Sequence, residues 1–181
     1  MVIESIAKAL RPILEQPVVK RVRRNHGMEH ATIHLLNRQR YILSGRASWG
    51  GFMIYGDVPT ETVEKAAHDA LERLRKGQAQ LAVHPNCGTN LVVTGMLTTF
   101  VGALGFTGTN RRRAWERFPV VLLLMMATSL YSLPIGLQVQ QFITTSGEPG
   151  GLEIVGVKRR TTKMPFRDKP VVVHEVMTRG Q

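Results

Sequence analysis

The chain has 181 residues, 43 % of them hydrophobic, which is too apolar for a disordered tail and enough for one folded domain with an appendage. One cysteine, Cys87, excludes an intramolecular disulfide framework and fits a reducing compartment. Twenty-four Lys and Arg against thirteen Asp and Glu give a net charge of +11, the excess expected of a partner for anionic lipid or nucleic acid.

Residues up to Leu14 form an amphipathic segment carrying Glu4, Lys8 and Arg11. The basic run Lys20-Arg-Val-Arg-Arg24 leads into a helix expected over residues 22–37, with Ile33, Leu35 and Leu36 as apolar contacts. Residues 41–44 and 52–55 are short strand candidates, separated by Gly45, Gly50 and Gly51. Residues 60–76 predict a second helix. Pro59 and Thr60 start it, Glu61 and Glu64 sit in its first turn, and Val63, Ala67, Ala70, Leu71 and Leu74 form one stripe.

Residues 88–110 contain no charge, and neither do residues 118–147. Roughly 20 helical residues cross a bilayer core of about 30 Å, so each stretch is long enough to span. The connector Arg111-Arg-Arg-Ala-Trp-Glu-Arg117 is basic and carries a tryptophan suited to the headgroup level. The pair predicts a transmembrane hairpin, with Gly95, Gly102 and Gly105 allowing close helix approach and Pro134 kinking or ending the second helix. Gly147-Glu-Pro-Gly-Gly151 reads as a linker, followed by a small β pair over 152–157 and 171–176 with Lys158-Arg-Arg160 between the strands. The expected class is α+β, mainly helical. It divides into a small metal-binding domain over 1–88, a two-helix transmembrane hairpin over 89–146, and a small basic segment over 147–181.

His26-Gly-Met-Glu-His30 fits H-x-x-E-H, the inverted zincin pattern. On a helix, positions i and i+4 share a face, so His26 and His30 can hold one ion while Glu29 stands beside it and takes a proton from metal-bound water. His34 extends the stripe by one turn. The second element is His84-Pro-Asn-Cys87-Gly-Thr89: Pro85 keeps His84 extended, Gly88 permits a sharp turn, and His84 and Cys87 can reach one ion. Thr89 or Asn90 is expected to cap the following helix, whose N-terminus favours a Cys87 thiolate. Imidazole and thiolate together select Zn2+, with another divalent transition metal as the substitute.

His26-Gly-Met-Glu-His30-Ala-Thr-Ile33 and His84-Pro-Asn-Cys-Gly-Thr89, ahead of apolar spans, resemble the uncharacterised bacterial membrane-protein family typified by YqhQ. That resemblance covers the two motifs and fades beyond about residue 141; Ala31 stands where that family usually has a lysine. It implies a metal-dependent enzyme of the bacterial inner membrane and names no substrate.

Three functions follow as expectations. The first is a multi-pass membrane protein whose metal site lies at the lipid headgroup level and hydrolyses a lipid-linked or membrane-protein substrate through Glu29. In the second, four ligands (His26, His30, His84 and Cys87) close the shell, and the metal is a structural clip in a non-enzymatic membrane adaptor. The third makes Cys87 a nucleophile assisted by His30 or His84. The basic runs read as anchors to anionic headgroups in the bilayer; few aromatics and no stacking platform argue against nucleic acid.

Overall fold

The computed structural model describes residues 2–163 and 170–180; Met1, at the start of the amphipathic segment, lies outside them. The chain forms two compact units, one from Met1–His84 with Gln141–Gln181 and one from Pro85–Gln140.

The first unit opens with α1 (Val2–Ala9) and α2 (Arg11–Leu14), then α3 (Pro17–Asn37). The third helix starts five residues earlier than 22 because Pro17 occupies its first turn, where proline has the right φ and no amide to leave unpaired. A hairpin follows, β1 (Ser44–Ser48) and β2 (Gly51–Tyr55), then α4 (Thr60–Arg75) and a 3-10 turn (Ala79–Ala82). The strand expected at 41–44 is displaced. Tyr41 and Leu43 pack against the core, while the ladder begins at Ser44 and runs through Ser-Gly-Arg-Ala-Ser, poor strand formers held by pairing to β2.

The C-terminal strands are β3 (Glu153–Thr162) and β4 (Val171–Arg179), in a four-stranded antiparallel sheet of order β1-β2-β4-β3. Phe52 pairs with Val176 and Ile54 with His174, which inserts β4 beside β2. Lys158, Arg159 and Arg160 lie inside β3 rather than between the strands, balanced by Asp57 3.2 Å from Arg159 and Glu175 3.9 Å from Arg160. Charge on an edge strand also discourages edge-to-edge pairing with another chain.

Phe52, Ile54 and Val176 are fully buried together with Val63, Ala67, Ala70 and Leu74 of α4 and Met28, Ala31 and Leu36 of α3. Each large side chain so buried contributes roughly 1.5–3 kcal/mol. Arg21 and Arg23, read from sequence as headgroup anchors, hold the fold. Arg21 donates to the carbonyls of Trp49 and Thr178 at 2.9 and 2.8 Å and stacks on the Trp49 ring, while Arg23 donates to the carbonyls of Phe142 and Thr145.

The second unit contains α5 (Gly88–Phe106), α6 (Arg111–Tyr131) and α7 (Leu133–Val139). One helix, α5, is long and apolar enough to cross a membrane; α6 qualifies only jointly with the helical stretch Leu133–Thr144, across a 48° bend. The expected two-helix hairpin thus reduces to one membrane-length helix and a broken one. Arg111, Arg112, Arg113, Glu116 and Arg117 fill the first two turns of α6, and its apolar remainder stops at the Ser132 break, with Pro134 in the first turn of α7.

Glycines set the α5–α6 approach, but not all three. A Cβ on Gly105 would lie 2.5 Å from Val121 and one on Gly102 3.2 Å from Met125 Sδ, whereas Gly95 faces open space. Gly105→Val should lower the unfolding midpoint of the detergent-solubilised protein by an amount equivalent to about 1–3 kcal/mol, and Gly95→Ala should not lower it. Equal midpoints for the two variants would contradict this packing.

Candidate metal centre

Residues 26, 30, 34 and 37 recur at helical spacing and form one stripe of α3. This part of α3 is the core element of its unit. It packs against α4, β1, β2 and the 3-10 turn, so the stripe is enclosed rather than solvated. Its register is fixed by Asn25, which donates to the carbonyls of Ser48 and Trp49 at 2.8 and 3.1 Å and accepts from the Thr178 hydroxyl at 2.8 Å. The glycine-rich stretch 49–52 is the hairpin turn latched by Arg21 and Asn25.

Both helix histidines have Nδ1 tied to main chain. His30 Nδ1 donates to the Ala82 carbonyl at 2.8 Å, and His26 Nδ1 donates to the Thr144 carbonyl at 3.0 Å. A carbonyl only accepts, so each bond selects the tautomer whose Nε2 carries the lone pair, the arrangement usual for metal-ligating imidazoles. The two rings are 4.4 Å apart between centroids, with ligand nitrogens within 4.8 Å. Two nitrogens on one tetrahedral zinc at about 2.05 Å would be roughly 3.3 Å apart, so a modest ring movement closes the pair on an ion.

Glu29 is 5 % exposed, and its Oε2 lies 4.0 Å from His26 Nε2. At 4.0 Å the His26 nitrogen is beyond hydrogen-bonding distance of that oxygen. Gly45 of β1 makes room for it: a Cβ there would fall 2.3 Å from Glu29 Oε1. Burial pushes the Glu29 carboxyl up to about 7, against the pull of the neighbouring His26.

His84 belongs to this cluster. Its ring lies 6.0 Å from His30 and 6.2 Å from His34, and the Asn37 amide approaches His84 Nε2 at 3.4 Å. Burial, with His30 and His34 nearby, holds the His84 pKa below the usual imidazole value, which favours the neutral, ligating form. Sequence reasoning missed Asn37, Gly45 and the Ala82 and Thr144 carbonyls. Asn37 alone had a signal, its place on the 26, 30, 34 stripe.

Cys87 lies in the second unit, two residues after its start at Pro85. It is itself the N-cap of α5, in place of the expected Thr89 or Asn90: its Sγ accepts from the Thr89 amide at 3.4 Å. Two residues, Pro85 and Asn86 in a turn, separate it from His84, so their Cα atoms are at most about 11 Å apart.

A family model described as a domain of unknown function, DUF6391, matches residues 21–157. The chain belongs to the DUF6391 family. The matched span includes His26, Glu29, His30, His34, Asn37, His84, Cys87 and all of α5. An uncharacterized protein of Picosynechococcus sp. is 33 % identical over 143 residues, 69 % of this chain and 66 % of that relative's length. No solved structure matches. The kinship read from the two motifs stands as membership of an uncharacterised family.

Proposed function

We propose that this chain is a membrane-anchored, metal-dependent hydrolase in which His26 and His30 hold a divalent cation, zinc by donor type, and Glu29 is the general base. The observation that carries the reading is the pair of imidazoles with Nδ1 pinned by carbonyls, beside a buried carboxylate 4.0 Å from His26 Nε2. A bound cation would supply a Lewis acid that acidifies water at neutral pH. Glu29, set at i+3 from His26, would accept that proton and later return it to the leaving group. Cys87 is the third ligand proposed, by its tether to His84. With His84 Nε2 turned to Asn37, one position of a tetrahedral shell is left for water.

The motif likeness to YqhQ-type proteins supports the same chemistry, and α5 supports a bacterial inner-membrane setting. Since His84 precedes the first residue of α5 by only four positions, a lipid-linked molecule or a membrane-protein segment is the substrate class proposed.

The test is zinc-dependent hydrolysis of p-nitrophenyl butyrate and p-nitrophenyl phosphate by the protein in detergent. Glu29→Gln should keep its zinc and lose roughly 100- to 10,000-fold in rate. Zinc loss in that variant would make Glu29 a ligand, and zinc-independent turnover would overturn the reading. The N-cap geometry of Cys87 favours one rival, a thiol enzyme. Alkylation of Cys87 that saturating zinc leaves unslowed would support that rival.

A further inference from the structure

Beyond the first pair, α3 and the segment after the 3-10 turn bring a second set of donors together. His34 is one helical turn from His30, about 6 Å along the axis. Its Nδ1 is buried and has no hydrogen-bond partner among the described residues. A buried ring nitrogen left unsatisfied costs on the order of 1–3 kcal/mol, so something should occupy its lone pair or take its proton. Across from it stands His84, the two rings 6.2 Å apart and nearly perpendicular at 89°, with the Asn37 side chain 3.4 Å from His84 Nε2. Imidazoles sharing one zinc have centroids roughly 5 Å apart, so a small ring shift joins His84 to His34, whose Nδ1 is unpartnered, in preference to His30 at 6.0 Å, whose Nδ1 is already bonded to the Ala82 carbonyl. His34 and His84 are both half-buried, which leaves a route in for an ion.

We propose that His34, His84 and Asn37 form a second divalent-cation site, one helical turn from the His26–His30 pair, taking a borderline transition metal through two imidazole nitrogens and the Asn37 amide oxygen. Asn37 would turn its oxygen rather than its NH2 to the ion. The inference rests on the preceding reading only in leaving His84 outside the first cation's shell.

The experiment is a cobalt(II) titration of chelator-stripped full-length protein in detergent, with bound metal counted by mass spectrometry and the visible ligand-field bands followed. Wild type should bind two equivalents. His34→Ala should bind one, and Asn37→Ala, the milder change at a half-buried side chain, should weaken the second equivalent about tenfold without moving the thermal midpoint. A single wild-type equivalent, lost in His26→Ala and kept in His34→Ala, overturns the second site and leaves the hydrolase reading standing. A single equivalent lost only in His34→Ala supports the second site and overturns the first. No bound cobalt, or two equivalents persisting in both His34→Ala and Asn37→Ala, overturns the proposal.

Discussion

Gly27→Ala should be among the most destabilising single substitutions in the first unit. On helix propensity alone the change should help by nearly 1 kcal/mol. Sterics outweigh that gain: the new Cβ would sit 2.1 Å from the Ser146 carbonyl oxygen and 3.2 Å from the Ala82 Cβ. The obstacle is main chain, and it is held. The Ser146 amide donates to the Arg23 carbonyl at 3.0 Å, and Arg23 in turn grips the carbonyls of Phe142 and Thr145 at 3.2 Å each. A net loss of about 3 kcal/mol follows, a fall of roughly 6–12 °C in the midpoint for a chain of this size. Both the Thr144 and Ala82 carbonyls, which set the His26 and His30 tautomers, lie beside the displaced backbone. Cation affinity should therefore drop about 10- to 100-fold in whatever protein remains folded. Unchanged stability and affinity in Gly27→Ala would mean that segment 144–146 does not sit against α3.

Glu29→Gln should raise the stability of the metal-free protein, in a pH-dependent way. The folded-state pKa is raised from 4.5 to about 7, chiefly by burial. The wild-type carboxyl therefore folds without penalty below about pH 4.5 and loses stability as the pH climbs towards 7. Above that it carries the full cost of a buried charge, roughly 3 kcal/mol. Glutamine has the same shape and no charge, so the variant should match wild type near pH 4.5 and exceed it by up to that amount at pH 8. A bound divalent cation reverses the local preference by favouring the carboxylate, so loading the protein with zinc should shrink the gap. Unfolding midpoints at the two pH values, with and without zinc, check this. A Glu29→Gln variant less stable than wild type at pH 8 without metal would show that the carboxylate is stabilised where it stands.

What could be read from the sequence was what repeats locally. The α4 stripe and the i, i+4 histidines of α3 emerge from 3.6-residue periodicity, and Phe52 to Tyr55 from strand propensity. The pairing of Val176 with Phe52 joins segments far apart in the chain, and no local pattern encodes it, so the C-terminal strands read as a separate segment. β3 runs past the expected end at residue 157 for a different reason. Lys158, Arg159 and Arg160 look like loop residues, yet they stand on an edge strand whose partners Asp57 and Glu175 become visible only once the sheet is assembled. The second apolar stretch looked long enough to span because composition does not register the Ser132 break between α6 and α7.

The site divides the same way. H-x-x-E-H announced His26, Glu29 and His30, and the geometry keeps those three together. The orientation of His84 depends on Asn37, and the accommodation of Glu29 depends on Gly45, both set by tertiary packing that spacing does not carry. The N-cap falls two or three residues ahead of Thr89 and Asn90 because the Cys87 sulfur is the capping acceptor, a role that oxygen side chains usually fill.

The central claim is that the paired imidazoles of α3 hold a metal ion. Zinc-edge X-ray absorption of the full-length protein, purified in detergent without added metal, tests it most directly. A four-coordinate first shell is expected, with imidazole nitrogens at about 2.0–2.1 Å and one sulfur near 2.3 Å; in a His34→Ala background, which removes the second site, both signals should disappear on adding His26→Ala and His30→Ala. Zinc bound by oxygen alone, or an imidazole signal that survives the double substitution in the His34→Ala background, would contradict it.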